Sequence, residues 1–218
     1  MNVIVTSGAT REPIDSVRFI SNLSSGRTGA AISEILASRG FQVIQLHGID
    51  SALASGVAGR QAFSDHASLD AGLHRLLADG GWDAVIHAAA VGDFAVTAPA
   101  PGAKIESGRE LVLQLRPNPK IIDRIRGYAA GKPLTLVGFK LTHDPDAARQ
   151  AQAARELLAR SGADYVVQND VSTIGDAAGH RFVIHRRNSE DLQHCAGRRA
   201  LADALAALLE SGDRGSHA

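Results

Sequence analysis

The chain has 218 residues, 44% of them hydrophobic and 21% charged, a balance that excludes disorder for the bulk of it and gives enough apolar material for a sizeable core. Lys plus Arg (23) equals Asp plus Glu (23), so no global positive charge is available for a nucleic-acid backbone. A single cysteine, Cys195, excludes an intramolecular disulfide and leaves no Cys/His cluster with zinc spacing, and no window approaches the roughly 18 apolar residues of a membrane span.

Residues 2–6 (NVIVT) form a β-branched run closed by Ser7 and Gly8, the pattern of a buried strand that ends in a close-approach loop. GRTGAAISEILASRG then places Ile32, Ile35 and Leu36 on one helical face and ends at Gly40 as a C-terminal cap. FQVIQLH reads as a second strand, LDAGLHRLLADGG as a helix with Leu69, Leu73, Leu76 and Leu77 on one side, and DAVIHAAA as a third strand. Alternation of strand and helix predicts parallel strands joined by right-handed crossovers. From 95 to 118 the rhythm breaks, and KIESGRELVLQL predicts two short strands around Ser107 and Gly108, a hairpin or flap. NPKIIDRIRGY reads as a short helix and TLVGFKLT as a strand. DPDAARQAQAARELLARSG reads as a helix capped by Asp144 with Pro145 first. DYVVQND and HRFVIHRR complete the strands, and a last helix uses Leu201, Leu205, Leu208 and Leu209. The expected fold is α/β and Rossmann-like, a mostly parallel sheet flanked by helices with a hairpin insertion: one domain over 1–211, its flap at about 95–116, and a frayed tail over 212–218.

In such a sheet, ligands bind beyond the carboxyl ends of the strands. Ser24, Ser25, Gly26 and Gly29 precede a helix whose free N–H groups favour a phosphate, although a capped turn accounts for the same residues. AAAVGDF sets small residues beside Asp93, which either meets a hydroxyl or metal or caps a turn. Lys104 is an isolated base in an apolar setting or a solvated surface lysine, and Phe139 and Asn169 suit a nucleobase, Phe139 otherwise belonging to the core. The nine histidines contain no HExxH, and singles such as His74 and His87 read as structural residues.

VTSGATREPIDSVRFISNLSSGRTG, AAAVGDF, KIES, LRPNPKII, VGFKLT and DYVVQND, in this order and spacing, resemble the phosphopantothenate–cysteine ligase family of coenzyme A biosynthesis, and in beginning at the first strand the chain resembles the stand-alone form. The resemblance implies that a nucleotide, CTP with ATP as the alternative, activates the carboxylate of 4′-phosphopantothenate, and that cysteine captures the acyl nucleotide. It implies Mg²⁺ carried by the triphosphate, a cytoplasmic homodimer, and no nucleic-acid or membrane partner. It also assigns residues. Asn22 and Lys104 would be catalytic, Asn22 at the acyl group and Lys104 on developing charge. Arg18, Asn22, Ala89, Ala90 and Asp93 would bind substrate, with Arg18 reaching the partner subunit's site, and Gly8, Ser24, Gly26, Gly29, Phe139 and Asn169 would line the nucleotide site. Leu157 and Ser161 stand where the fused form usually carries two nucleotide-facing lysines, and Gly92 and Gln168 replace the more usual serine and alanine. The alternatives are an NAD(P)-dependent oxidoreductase, whose tight glycine fingerprint is missing, and a non-catalytic nucleotide-binding relative.

Overall fold

A computed structural model describes residues 1–98, 102–108, 110–174 and 179–212. In chain order the elements are β1 (Asn2–Ser7), β2 (Arg11–Pro13), β3 (Phe19–Ser21), α1 (Arg27–Ser38), β4 (Gln42–Gly48), β5 (Gly59–Phe63), α2 (His66–Asp79) and β6 (Ala84–His87). They continue with β7 (Phe94–Val96), β8 (Leu115–Pro117), a 3₁₀ turn at Ile121–Asp123, α3 (Ile125–Tyr128), β9 (Thr135–Thr142), α4 (Ala147–Ser161), β10 (Tyr165–Asp170), β11 (Arg181–Arg186), β12 (Leu192–Ala196) and α5 (Gly197–Glu210).

Eight strands form one sheet in the order β12-β11-β10-β9-β6-β1-β4-β5. From β5 to β10 every pairing is parallel, and β11 and β12 add an antiparallel edge. The mostly parallel α/β sheet expected from the alternation is therefore present. Counted along the chain, the parallel strands lie in the doubly wound order 3-2-1-4-5-6, whose direction reverses between β1 and β6 and opens a crevice there. Strands buried on both faces explain the near-continuous apolar runs. One face packs Val3, Val5 and Val43 against Ile32 and Leu36 of α1 and Leu201 and Leu205 of α5. The other packs Ile4, Leu46, Val85 and Leu136 against Leu69 and Leu73 of α2, Ile125 of α3 and Leu157 of α4.

Three details differ from the sequence reading. Asp146 rather than Asp144 caps α4, accepting the Ala148 N–H at 2.8 Å, because Asp144 is drawn to the end of β10, where its N–H meets Asp170 Oδ2 at 3.1 Å. Pro145 therefore precedes the helix. The hairpin strands sit at β7 and β8, antiparallel, rather than around Ser107 and Gly108. The connecting backbone is instead pulled onto residues 15–18: Ser16 N donates to Ala103 O (3.0 Å) and Ile105 N to Asp15 Oδ2 (3.1 Å). Finally, β2, β3, β5 and β12 were not foreseen. Residues 99–101 and 109 of the flap, and 213–218 of the tail, lie outside the described residues.

Candidate active site

The crevice between β1 and β6 brings Gly8, Asn22, Ala89 and Ala90 of the predicted residues together. The loop after β1 runs beside the loop after β6: Ala90 N donates to Gly8 O (2.7 Å), Thr10 N to Ala90 O (3.2 Å) and Gly92 N to Thr10 Oγ1 (2.8 Å). Ala89 N is taken by Thr6 Oγ1 at 3.1 Å, so the N–H groups of Ala89 and Ala90 are both used by the fold. Asn22, exposed beyond β3, donates from Nδ2 to Val91 O at 3.0 Å, which ties the β2–β3 ribbon to the same crevice.

Gly8 and Gly26 are required by close approach as well as by φ values of 85° and 71°. A Cβ on Gly26 would come within 2.8 Å of Ser51 Cβ and 3.2 Å of Gly8 N, and one on Gly8 would collide with Ser51. Gly29 likewise lets α1 lie against Ser7, which a Cβ would strike. Gly26 begins α1 with no side-chain cap, so the first-turn N–H groups stay available to an anion; Ser24 Oγ accepts the Gly26 N–H at 3.4 Å.

Beside the crevice, a cleft of about 270 Å³ opens at the ends of β6 and β9 under α4 and is lined by Ala89, Asp93 and Phe139 together with His87, Lys120 and Lys140. Asp93 is ion-paired with Lys120. Asn118 braces this rim, its N–H on Asp93 O (2.8 Å) and its Nδ2 on Gly92 O (3.0 Å). Leu157 also lines the cleft, whereas Ser161 is buried and donates to Leu157 O at 2.6 Å. Asn169 lies one step further along the neighbouring strand on the same sheet face as Phe139, its Nδ2 2.9 Å from His180 Nε2. It does not line the cleft.

Arg18 and Lys104 form a separate cluster. The buried Asp15 carboxylate accepts N–H bonds from Val17 (2.9 Å), Arg18 (2.8 Å) and Ile105 (3.1 Å) and pairs with Arg18 Nη1 (2.9 Å). Burial works to raise its pKa, but these donors and the guanidinium hold it below the ordinary carboxylate value. Arg18 Nη2 also meets Ile105 O at 3.2 Å, so in its own chain Arg18 clamps the flap. Lys104, next to that clamp, is exposed, not set in apolar surroundings.

His87, Thr6, Lys120 and Asn118 stand at or beside this cleft, and sequence reading did not single them out for function. His87 and Thr6 meet through register across strands, whereas Asn118 and Lys120 sit inside the LRPNPKII motif. Among the described residues no helix is long and apolar enough to cross a membrane, and no group of three or more His, Cys, Asp or Glu side chains is placed to hold a metal.

Comparison with known proteins fits this geometry. The coenzyme A biosynthesis bifunctional protein CoaBC of Thermococcus kodakarensis is 36% identical over 203 residues, covering 93% of this chain and 49% of its own length. The chain thus spans about half the length of the curated relatives it matches. The crystal structure of the DNA/pantothenate metabolism flavoprotein from Streptococcus pneumoniae is similar with a TM-score of 0.86 at 27% identity, covering 97% of this chain and 99% of that one. A Cab2 variant in complex with phosphopantothenate-cysteine shares the fold, with a TM-score of 0.79 at 19% identity over 97% of this chain and 88% of that one. Residues 1–211 match the family described as DNA/pantothenate metabolism flavoprotein C-terminal domain, and the chain belongs to that family.

Proposed function

We propose that residues 1–211 act as a single phosphopantothenate–cysteine ligase domain using a nucleotide triphosphate, CTP in the first instance and ATP as the alternative. The observation that carries this reading is the junction of the Gly8 loop, the Ala89–Asp93 loop, Asn22 and the uncapped start of α1 at one crevice of the sheet. The CoaBC match and the phosphopantothenate-cysteine complex of the Cab2 fold neighbour support the substrate class.

In the first step a carboxylate oxygen of 4′-phosphopantothenate attacks the nucleotide α-phosphorus, the bond to the β-phosphate breaks, and pyrophosphate leaves. In the second, the cysteine amine attacks the acyl carbon, the nucleoside monophosphate departs and the amine gives up a proton. A carboxylate of pKa about 4 is already ionised at neutral pH, so no enzyme nucleophile is needed, and the protein contributes alignment and charge stabilisation. In this reading the start of α1, with Gly8, Ser24, Gly26 and Gly29, cradles phosphates, and Phe139 and Asn169 border the nucleoside. Asn22, held by Val91 O, presents its carboxamide to the acyl group between Ala89 and Ala90, and Lys104 meets charge on the transferring phosphoryl group. Mg²⁺ carried by the triphosphate would neutralise phosphate oxygens, with Asp93 as the exposed carboxylate able to meet it. Arg18 serves the site of a second copy. The exposed Val17 and Phe19 near β3, and Phe94 and Leu115 on the ribbon that packs against β2, support such a homodimer.

The oxidoreductase alternative finds no dinucleotide fingerprint: after Gly8 the next glycine is Gly26, and the first acid beyond β4, Asp50, is ion-paired with Arg11. Incubation with phosphopantothenate, cysteine, Mg²⁺ and each nucleotide in turn tests the reading. The expected result is pyrophosphate with phosphopantothenoylcysteine, and a higher kcat/KM with CTP than with ATP; absence of both products with every nucleotide refutes it.

A further inference from the structure

His87 ends β6 on the face that carries α2 and α4, and only 6% of it is exposed. It stands in register between Thr6 of β1 and Gly138 of β9. Its Nδ1 lies 3.0 Å from Thr6 Oγ1, a hydroxyl oxygen that already accepts the Ala89 N–H at 3.1 Å. Among the described residues the Thr6 hydroxyl hydrogen has no other acceptor, so it donates to Nδ1 and the ring proton resides on Nε2.

Burial lowers the imidazole pKa to about 4, which keeps the ring neutral at ordinary pH. Nε2 has no partner among the described residues, and the ring lines the cleft with Ala89, Ile122, Phe139 and Leu157. Gly138, next to His87 in register, lets Ile122 of the cleft wall pack closely, since a Cβ there would lie 2.6 Å from Ile122 Cδ1. The ring is buried while Nε2 opens onto the cleft, and a donor held there in one orientation without a protein acceptor fits a ligand that brings one. The apolar walls of the cleft fit a flat ring.

We infer that His87 is a specificity-determining residue that donates its Nε2–H to a ring-nitrogen or carbonyl acceptor on the base of the bound nucleotide. This rests on the nucleotide-dependent ligation proposed above. Thr6 acts through it, as the group that fixes the tautomer.

The test is a titration of ¹⁵N-histidine-labelled protein with MgCTP and, separately, MgATP, with the His87 signal assigned by its loss in His87→Phe. The free protein is expected to show the Nε2–H tautomer and a His87 shift as nucleotide saturates. His87→Phe should lose about 10-fold in nucleotide affinity with phosphopantothenate affinity kept, Thr6→Val should lose less, and His87→Gln, which retains an N–H donor, should recover part of the loss. If His87→Phe does not fold, Thr6→Val and the parent titration still decide. An Nδ1–H tautomer, a His87 signal unmoved by bound nucleotide, or a parent that binds no nucleotide overturns the inference. If the parent forms no amide product yet nucleotide still moves His87, the ligation reading fails and the donor role stands.

Discussion

A cation that no neighbour neutralises is free to meet charge that develops during a reaction, and among the described residues Lys104 is such a cation: it is exposed, forms no ion pair, and follows a backbone clamped through Ile105. Lys104→Gln should slow acyl-nucleotide formation by about 10²–10³ while nucleotide binding falls much less, read as pyrophosphate release against equilibrium titration. Equal release in variant and parent would remove the role. Buried histidines set a second expectation. The folded pKa of His87 is about 4, below its unfolded value of 6.5, so between these pH values the unfolded chain binds a proton that the native state refuses. Its stabilising contribution is complete above pH 6.5 and is lost as pH falls towards 4, by about 3 kcal/mol at most. His180 and His185, also lowered by burial, act in the same direction. Urea midpoints at pH 7 and pH 4.5 should fall further apart in the parent than in His87→Phe. Lys104 draws attention in the sequence because it sits in a short motif, whereas His87 reads as structural because its partner Thr6 lies 81 residues away and only strand register brings them together.

At the scale of the element, α1 shows why some boundaries can be read and others cannot. Its end is a Schellman turn, with Gly40 N on Ala37 O (3.0 Å) and Phe41 N on Leu36 O (3.1 Å), and Gly40 at φ 86° marks it in the sequence. Its start at Gly26 is equally visible. The cap of α4 was misplaced because two aspartates compete for it, and the choice depends on Asp170, an element away. The ribbons β2–β3 and β7–β8 were missed or displaced because three-residue strands carry too little alternation to register. The two α1 glycines separate strain from packing. Gly40→Ala meets nothing within 4 Å and should cost only the left-handed penalty, about 1–2 kcal/mol. Gly26→Ala adds a Cβ against Ser51 and the Gly8 backbone, so it should cost more and also weaken nucleotide binding, which Gly40→Ala should not. Urea denaturation and nucleotide titration of both proteins check this pair; equal stability losses with unchanged binding would show that the Gly26 approach is not part of the site.

At the scale of the molecule, alternating strand and helix patterns made the parallel sheet legible, since right-handed crossovers leave few other arrangements. The pattern could not show that the flap folds back onto residues 15–18, because that contact is made by Asp15, Ser16 and Arg18 to the backbone of Ala103 and Ile105, far along the chain. Asp15 also orients Arg18, whose partly exposed guanidinium bonds, among the described residues, to Asp15 and Ile105. If Arg18 reaches a neighbouring subunit's substrate while Asn22 serves its own, the two residues belong to different sites of one dimer. Arg18→Ala removes that contact with substrate, and Asn22→Asp sets a carboxylate against the substrate's own carboxylate or acyl oxygen, so each protein alone should be nearly inactive with a native circular dichroism spectrum. In a mixed two-fold dimer one site receives both defects, and the other receives intact Asn22 from one chain and intact Arg18 from the other. With random exchange about half of the dimers are mixed, and activity should return to roughly a quarter of the parent value. A fully active Arg18→Ala protein would reduce Arg18 to a clamp on its own flap. Two inactive variants that stay inactive after verified subunit exchange would place Arg18 and Asn22 in the same site of the same chain.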